Sequence, residues 1–178
     1  DEPDVVIGQP NAYERDENGG ELGPNTFRWP HDIAGTAQSL FIADAGNHRL
    51  LSWTPSPVGN THADHVYGQP DFVSAGEFAY TPGTPSSLRF PYAIDIADGR
   101  MAVADTANNR VLVWDETPTA PAPATRVFGQ FDFTTSGENR WDSVADDTFC
   151  WPYGLSLHGD RLAVADSGNN RIMVWTLT

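Results

Sequence analysis

The amino-acid sequence predicts an all-β fold: three four-stranded antiparallel blades of a β-propeller, half of a six-bladed ring. Two observations predict it. The first is a repeat, because Ala43-Asp44-Ala45-Gly46-Asn47-His48-Arg49-Leu50-Leu51-Ser52-Trp53 returns at an offset of 61 residues as 104–114 and again as 165–175. Pro30, Pro91 and Pro152 keep that spacing behind Trp29, Phe90 and Trp151, and Gly8-Gln9, Gly68-Gln69 and Gly129-Gln130 recur at 60 and then 61. Self-similarity at such a period is the mark of a repeat architecture. The second is that each period carries four short runs rich in β-branched and apolar residues, separated by turn chemistry.

In the middle period the runs are 65–68, 92–96, 100–104 and 110–114. Ala97-Asp98-Gly99 and Thr106-Ala107-Asn108-Asn109 separate the last three, with the length and composition that join antiparallel neighbours. No segment carries apolar residues at helical spacing over ten residues, which sets aside an α/β arrangement. A four-stranded meander repeated in series is a propeller blade, which packs face to face and leaves only short edges. The whole chain is one domain, with repeats at about 1–60, 61–121 and 122–178. Leu50, Val103, Val111, Val113, Val164 and Ile172 are the expected residues between blades.

The segment Ala104-Asp105-Thr106-Ala107-Asn108-Asn109-Arg110-Val111-Leu112-Val113-Trp114, preceded by Phe90-Pro91-Tyr92-Ala93-Ile94-Asp95, resembles the NHL repeat family in its bacterial form, and all three copies match. The usual glycine two residues after the proline survives only as Gly154, being Asp32 and Ala93 elsewhere, and each copy adds an insertion, at 11–27, 71–88 and 132–149. The resemblance implies that each innermost strand begins at the proline and that the Val-x-Gly-Gln run is outermost. The chain then begins with an outermost strand, 5–9, and ends with a third strand, 171–176. Three blades are too few to close a ring. The expectation is a homodimer closed by exchange of terminal strands, or half of a longer chain that closes in the same way.

Asp and Glu total 24 against 10 basic residues, all arginine, for a net charge of −14. Phosphate binding rests on cations that displace counterions, so this balance argues against a nucleic-acid partner and against an anionic membrane surface. No apolar run reaches the length of a membrane helix, so no membrane insertion is expected. The acidic balance favours a secreted or periplasmic setting over a cytoplasmic one without assigning a compartment. A single cysteine, Cys150 between Phe149 and Trp151, excludes an internal disulfide and reads as a small packed hydrophobe.

Three sets, Asp44, Asn47 and Arg49, Asp105, Asn108 and Arg110, and Asp166, Asn169 and Arg171, read as structural because every copy has one: the carboxylate and guanidinium pair across a turn, and the Asn amide serves nearby backbone. His31, Tyr92 and Tyr153 follow the prolines, where the family resemblance implies the mouth of the central channel, and with Trp29 and Trp151 they are the candidate ligand-binding residues, His31 breaking a tyrosine pattern. His48 fills a turn slot held elsewhere by Asn109 and Asn170. His62, Asp64 and His65 lie close in sequence and are of metal-binding types, but two ligands on a connecting loop are not a metal site.

The insertions carry acidic residues, Glu14, Asp16, Glu17 and Glu21 in the first and Glu138, Asp142, Asp146 and Asp147 in the third. Among them stand Tyr13, Phe27, Phe72, Phe78, Tyr80, Phe131, Phe133 and Trp141, rigid aromatics of the kind found on contact surfaces. No catalytic triad order, phosphate loop or paired-carboxylate signature is present. The expected function is a non-catalytic binding or assembly module for a protein or small ligand, with no cofactor. The alternative is an enzyme resembling the propeller lyases and lactonases, with a divalent metal on the axis for which His31 is the one candidate ligand.

Overall fold

A computed structural model describes residues 2–79 and 81–178; Tyr80 lies outside the described residues. The first sheet contains β1 (Pro30–Gly35), β2 (Leu40–Asp44), β3 (Arg49–Trp53) and β4 (His65–Tyr67). The second contains β5 (Pro91–Ala97), β6 (Arg100–Asp105), β7 (Arg110–Trp114) and β8 (Arg126–Phe128). The third contains β9 (Pro152–His158), β10 (Arg161–Asp166) and β11 (Arg171–Thr176). Each sheet is an antiparallel meander in chain order, so the fold is all-β and built from propeller blades. No helix among the described residues is long and apolar enough to cross a membrane.

The third blade has three strands where the repeat predicts four. The reason lies in how a blade is completed: β4 and β8 come from the Val-x-Gly-Gln runs that open the second and third repeats. Structural blades therefore straddle the sequence repeats. Residues 5–9, the first such run, form no strand, because no third strand of a preceding blade stands beside them. They nevertheless keep the backbone of their counterparts, with φ of +95° at Gly8 against +89° at Gly68 and +88° at Gly129. A methyl group at Gly8 or Gly129 would overlap the ring of Phe27 or Phe149, and at Gly68 it would crowd Leu88, so only glycine fits this crossing point.

Strand alternation sorts the core into layers. In β6, Met101 and Val103 face the first blade, packing with Phe41, Leu50, Leu112 and Trp114. Ala102 faces the third, as do Val111 and Val113 of β7, against Leu157, Leu162 and Val164. Removing one such side chain from water contributes about 1.5–3 kcal/mol. Ile172 departs from expectation: it is 68% exposed whereas its counterparts Leu50 and Val111 are 0% exposed. Its side of the third blade has no blade packed against it.

Each inner strand opens on proline, tolerated at a strand's first residue because it has no N–H to give the ladder. The pairing slips by one residue beside it, between Pro30 and Asp32, Pro91 and Ala93, and Ala165 and Asp166. The inner strands are tied to one another by carboxylates. Asp32 Oδ2 accepts the Ile94 N–H at 2.9 Å, and Asp95 Oδ2 accepts the Leu157 N–H at 2.7 Å.

Candidate functional site

The face bearing the second-to-third turns is built on the Asp-Asn-Arg sets. Arg110 Nε donates to Asp105 Oδ2 at 2.7 Å, Asn108 donates to the same oxygen at 2.8 Å, and Asp105 Oδ1 accepts the Arg89 N–H at 2.6 Å. Arg49 with Asp44 and Arg171 with Asp166 repeat the pair at 2.7 Å. The Asn amide thus serves the carboxylate, not the backbone as its sequence pattern suggests. The guanidinium turns outward to hold the insertion: Arg110 Nη2 donates to the Thr84 and Ser87 carbonyls, and Nη1 to that of Phe133.

Glutamines finish the clamp, a role sequence reasoning missed. Gln130 Nε2 donates to the Asn109 and Gly137 carbonyls at 2.9 and 2.8 Å, and Gln69 does the same to His48 and Gly76 at 3.2 and 2.9 Å. Asn18 exchanges amide bonds with Asn47, and Asn139 with Asn169, joining insertions to the second-to-third turns. Insertions and turns therefore share one rim.

Beside this rim the candidate ligand residues come together. His31, Tyr92 and Tyr153 form a stacked column, with ring centroids 4.0 Å apart at 16° and then 5.2 Å apart at 22°. Burial raises the Tyr92 phenol above its ordinary pKa, and Tyr153 adds to the shift. Trp29, Phe90 and Trp151 precede the prolines at φ of +51°, +48° and +50°, an unfavourable region for an aromatic residue. The preceding blade holds Phe90 and Trp151 there. Phe90 N–H donates to His48 Nδ1 at 3.2 Å, and Trp151 N–H to Asn109 Oδ1 at 2.9 Å. His48 is thus a turn residue, at φ of +57°, that also acts as an acceptor between blades. Trp29, Trp151 and Tyr153 present their rings to solvent.

A second periodic set, Glu17, Glu77 and Glu138, keeps the spacing of 60 and then 61 seen for the Gly-Gln pairs. In the first two copies an arginine answers the carboxylate, Arg28 at 3.0 Å from Glu17 and Arg89 at 2.6 Å from Glu77. In the third, that position is Cys150. Glu138 has no ion pair among the described residues and accepts the Trp151 indole N–H at 2.7 Å. Burial raises the Cys150 thiol above its ordinary pKa, with the Glu138 and Asp166 charges adding, so it is held as the thiol. The neighbouring Arg140 is taken by Asp147 at 2.8 Å.

Asp64 is used structurally, accepting the Thr54 N–H at 2.7 Å, and His65 lies in β4. Among the described residues no three His, Cys, Asp or Glu side chains converge as a metal-binding group.

These sheets define the class of the chain, a repeat protein of propeller blades. No protein-family model matches it, and no curated sequence does. Among solved structures, hydrazine synthase of Kuenenia stuttgartiensis superposes with a TM-score of 0.46 at 13% identity, over 92% of this chain and 37% of that one. The PQQ-bound aldose sugar dehydrogenase of Streptomyces coelicolor superposes with a TM-score of 0.46 at 17% identity, over 89% of this chain and 50% of that one. The chain spans half or less of the length of these neighbours.

Proposed function

We propose that the chain is a non-catalytic binding module of the NHL propeller type, whose aromatic rim holds a partner protein through a cationic side chain. One observation carries this reading: Glu138 stands without the arginine that answers its two counterparts, beside the exposed rings of Trp151 and Tyr153, which lie 6.5 Å apart at 21°. A carboxylate at the edge of aromatic faces suits a guanidinium or ammonium, which gains both the ion pair and the π face. The column of His31, Tyr92 and Tyr153 supplies the flat wall next to it. The net charge of −14 draws a basic segment toward this surface. The metal-dependent alternative draws less support from the same residues, since two of the three inner-strand positions are tyrosines and the ring of His31 is stacked on Tyr92.

An array of immobilised peptides tests this, each arginine peptide paired with its citrulline counterpart of the same shape and no charge. We expect arginine peptides to be retained over their citrulline partners. Glu138→Gln should lower that binding about tenfold or more, since a hydrogen bond to a charged group is worth about 1.5–3 kcal/mol, and Trp151→Ala about two- to fivefold, since a cation over an exposed ring is worth about 0.5–1 kcal/mol. Glu138→Gln should leave the melting temperature unchanged, because that side chain is exposed and has no ion pair among the described residues. Equal retention of the two peptide sets would overturn the reading.

A further inference from the structure

One side of the third blade is bare, and the face that would complement it is bare at the other end of the same chain. Ile172 and Val174 are 68% and 55% exposed, although their counterparts Val111 and Val113 are 0% exposed against the next blade. At the other end, Ile33 is 65% exposed whereas its counterpart Ile94, which faces the preceding blade, is 4% exposed. The two internal junctions show what joins such faces. An outermost strand pairs along the third strand, as Val111 with Phe128, Leu112 with Val127 and Val113 with Arg126. That outer strand also packs on the blade that follows, Tyr67 with the second and Phe128 with the third. Ile7 already packs on the first blade in the same way, beside Ile42 and Leu51. What residues 5–7 lack is the third strand of a preceding blade.

We propose that a second copy of this chain supplies it, β11 of one copy pairing with residues 5–7 of the other, so that two such junctions related by a two-fold axis close a ring of six blades. The register follows from the repeat: Ile172 opposite Ile7, Met173 opposite Val6 and Val174 opposite Val5. Two pairs of polar groups find their partners there. Arg49 Nη1 donates to the Phe72 carbonyl and Arg110 Nη1 to that of Phe133, each four residues beyond the Val-x-Gly-Gln glycine. Arg171 has carbonyl partners only on its other nitrogen, and its side chain is 27% exposed where the other two are 0% exposed. The repeat assigns it the Ala12 carbonyl of the second copy. In the same way Asn170 takes the Trp29 N–H of the other copy, as Asn109 takes that of Trp151. The aromatic column is also incomplete in one copy, and ring closure brings Tyr153 of one chain beside His31 of the other. The proposal rests on blade geometry and is independent of what the rim binds.

Light scattering across a micromolar concentration series reads the assembly directly, and the expected mass is twice 19.4 kDa. Ile172→Asp should give a folded species of single-chain mass, because the residue is exposed within one chain. In a Cys150→Ser background, Ile7→Cys with Ile172→Cys should form a bridge between chains on oxidation, whereas Ile7→Cys with Met173→Cys should not. A folded wild-type monomer throughout the series, an Ile172→Asp variant that still pairs, a bridge formed within one chain, or a ladder of higher masses from unclosed growth would each overturn the proposal.

Discussion

At the scale of single residues, what distinguishes the three copies is how each fills a shared slot. His48 and Asn109 both accept the N–H of an aromatic residue held at positive φ in the next blade. An asparagine does so at any pH, but an imidazole accepts through Nδ1 only while that nitrogen is unprotonated. Burial lowers the His48 pKa from 6.5; Glu77 and Asp105 oppose the shift, while Arg89 and Arg28 reinforce it. Unfolding releases a histidine that takes up its proton near pH 6.5, so the unfolded state binds the extra proton first. The stabilisation from neutral His48 is therefore complete above about pH 6.5 and is lost as pH falls through the lowered folded-state value. His48→Asn should flatten the fall in melting temperature between pH 7 and pH 5 relative to wild type. An unchanged slope would show that the histidine is not the group responsible. The slot was legible in the sequence as a turn position, because turn chemistry is local. Its contact with Phe90, 42 residues away, was not, because nothing in the spacing reveals which neighbour a side chain meets across two blades.

At the scale of elements, the Val-x-Gly-Gln run carries more than one strand's worth of structure. Its glycine crosses over a large apolar residue that ends the insertion, and its glutamine clamps the insertion to the preceding turn. Gly129→Ala would set a methyl group into the Phe149 ring at φ of +88°, combining backbone strain of about 1–2 kcal/mol with overpacking of about 1–3 kcal/mol. Gly159→Ala meets open space at φ of +58° and incurs the strain alone. Denaturant unfolding should thus place Gly129→Ala roughly 1–3 kcal/mol below Gly159→Ala. Equal losses would mean the insertion yields freely. The strands themselves were legible to within one or two residues, since period-two alternation and a triple repeat agree on them. The run at 5–9 was read as a strand and is not one in a single chain, because strand formation depends on a partner that local sequence does not supply. Glu138 was legible only as one acidic residue of the third insertion, because its meaning lies in the arginine that Cys150 replaces and in a contact with Trp151 that spacing does not reveal.

At the scale of the whole molecule, stability in a stacked array is close to a sum of blade and nearest-neighbour terms, so it need not be uniform. The middle blade has neighbours on both faces, and β6 and β7 are buried along almost their full length. In the third blade β10 alternates buried and half-buried residues after an exposed first one, β11 alternates half-buried and exposed residues with none buried, and β11 has a ladder partner on one side only. Amide exchange should follow that order. In dilute solution the amides of Met101 to Asp105 and Val111 to Val113 should be the slowest to exchange, and those of β11 that face away from β10 should exchange within the shortest labelling time. The first blade should fall between, because Ile7 and Phe27 cover part of its free face. Raising the protein concentration should then protect β11 and residues 5–7 together while leaving β6 and β7 unchanged, since the same ladder orders both segments. Protection of β11 that is already as strong as that of β7 at the lowest concentration, with no further gain, would show that the edge is closed within one chain and that the blades do not form an open array.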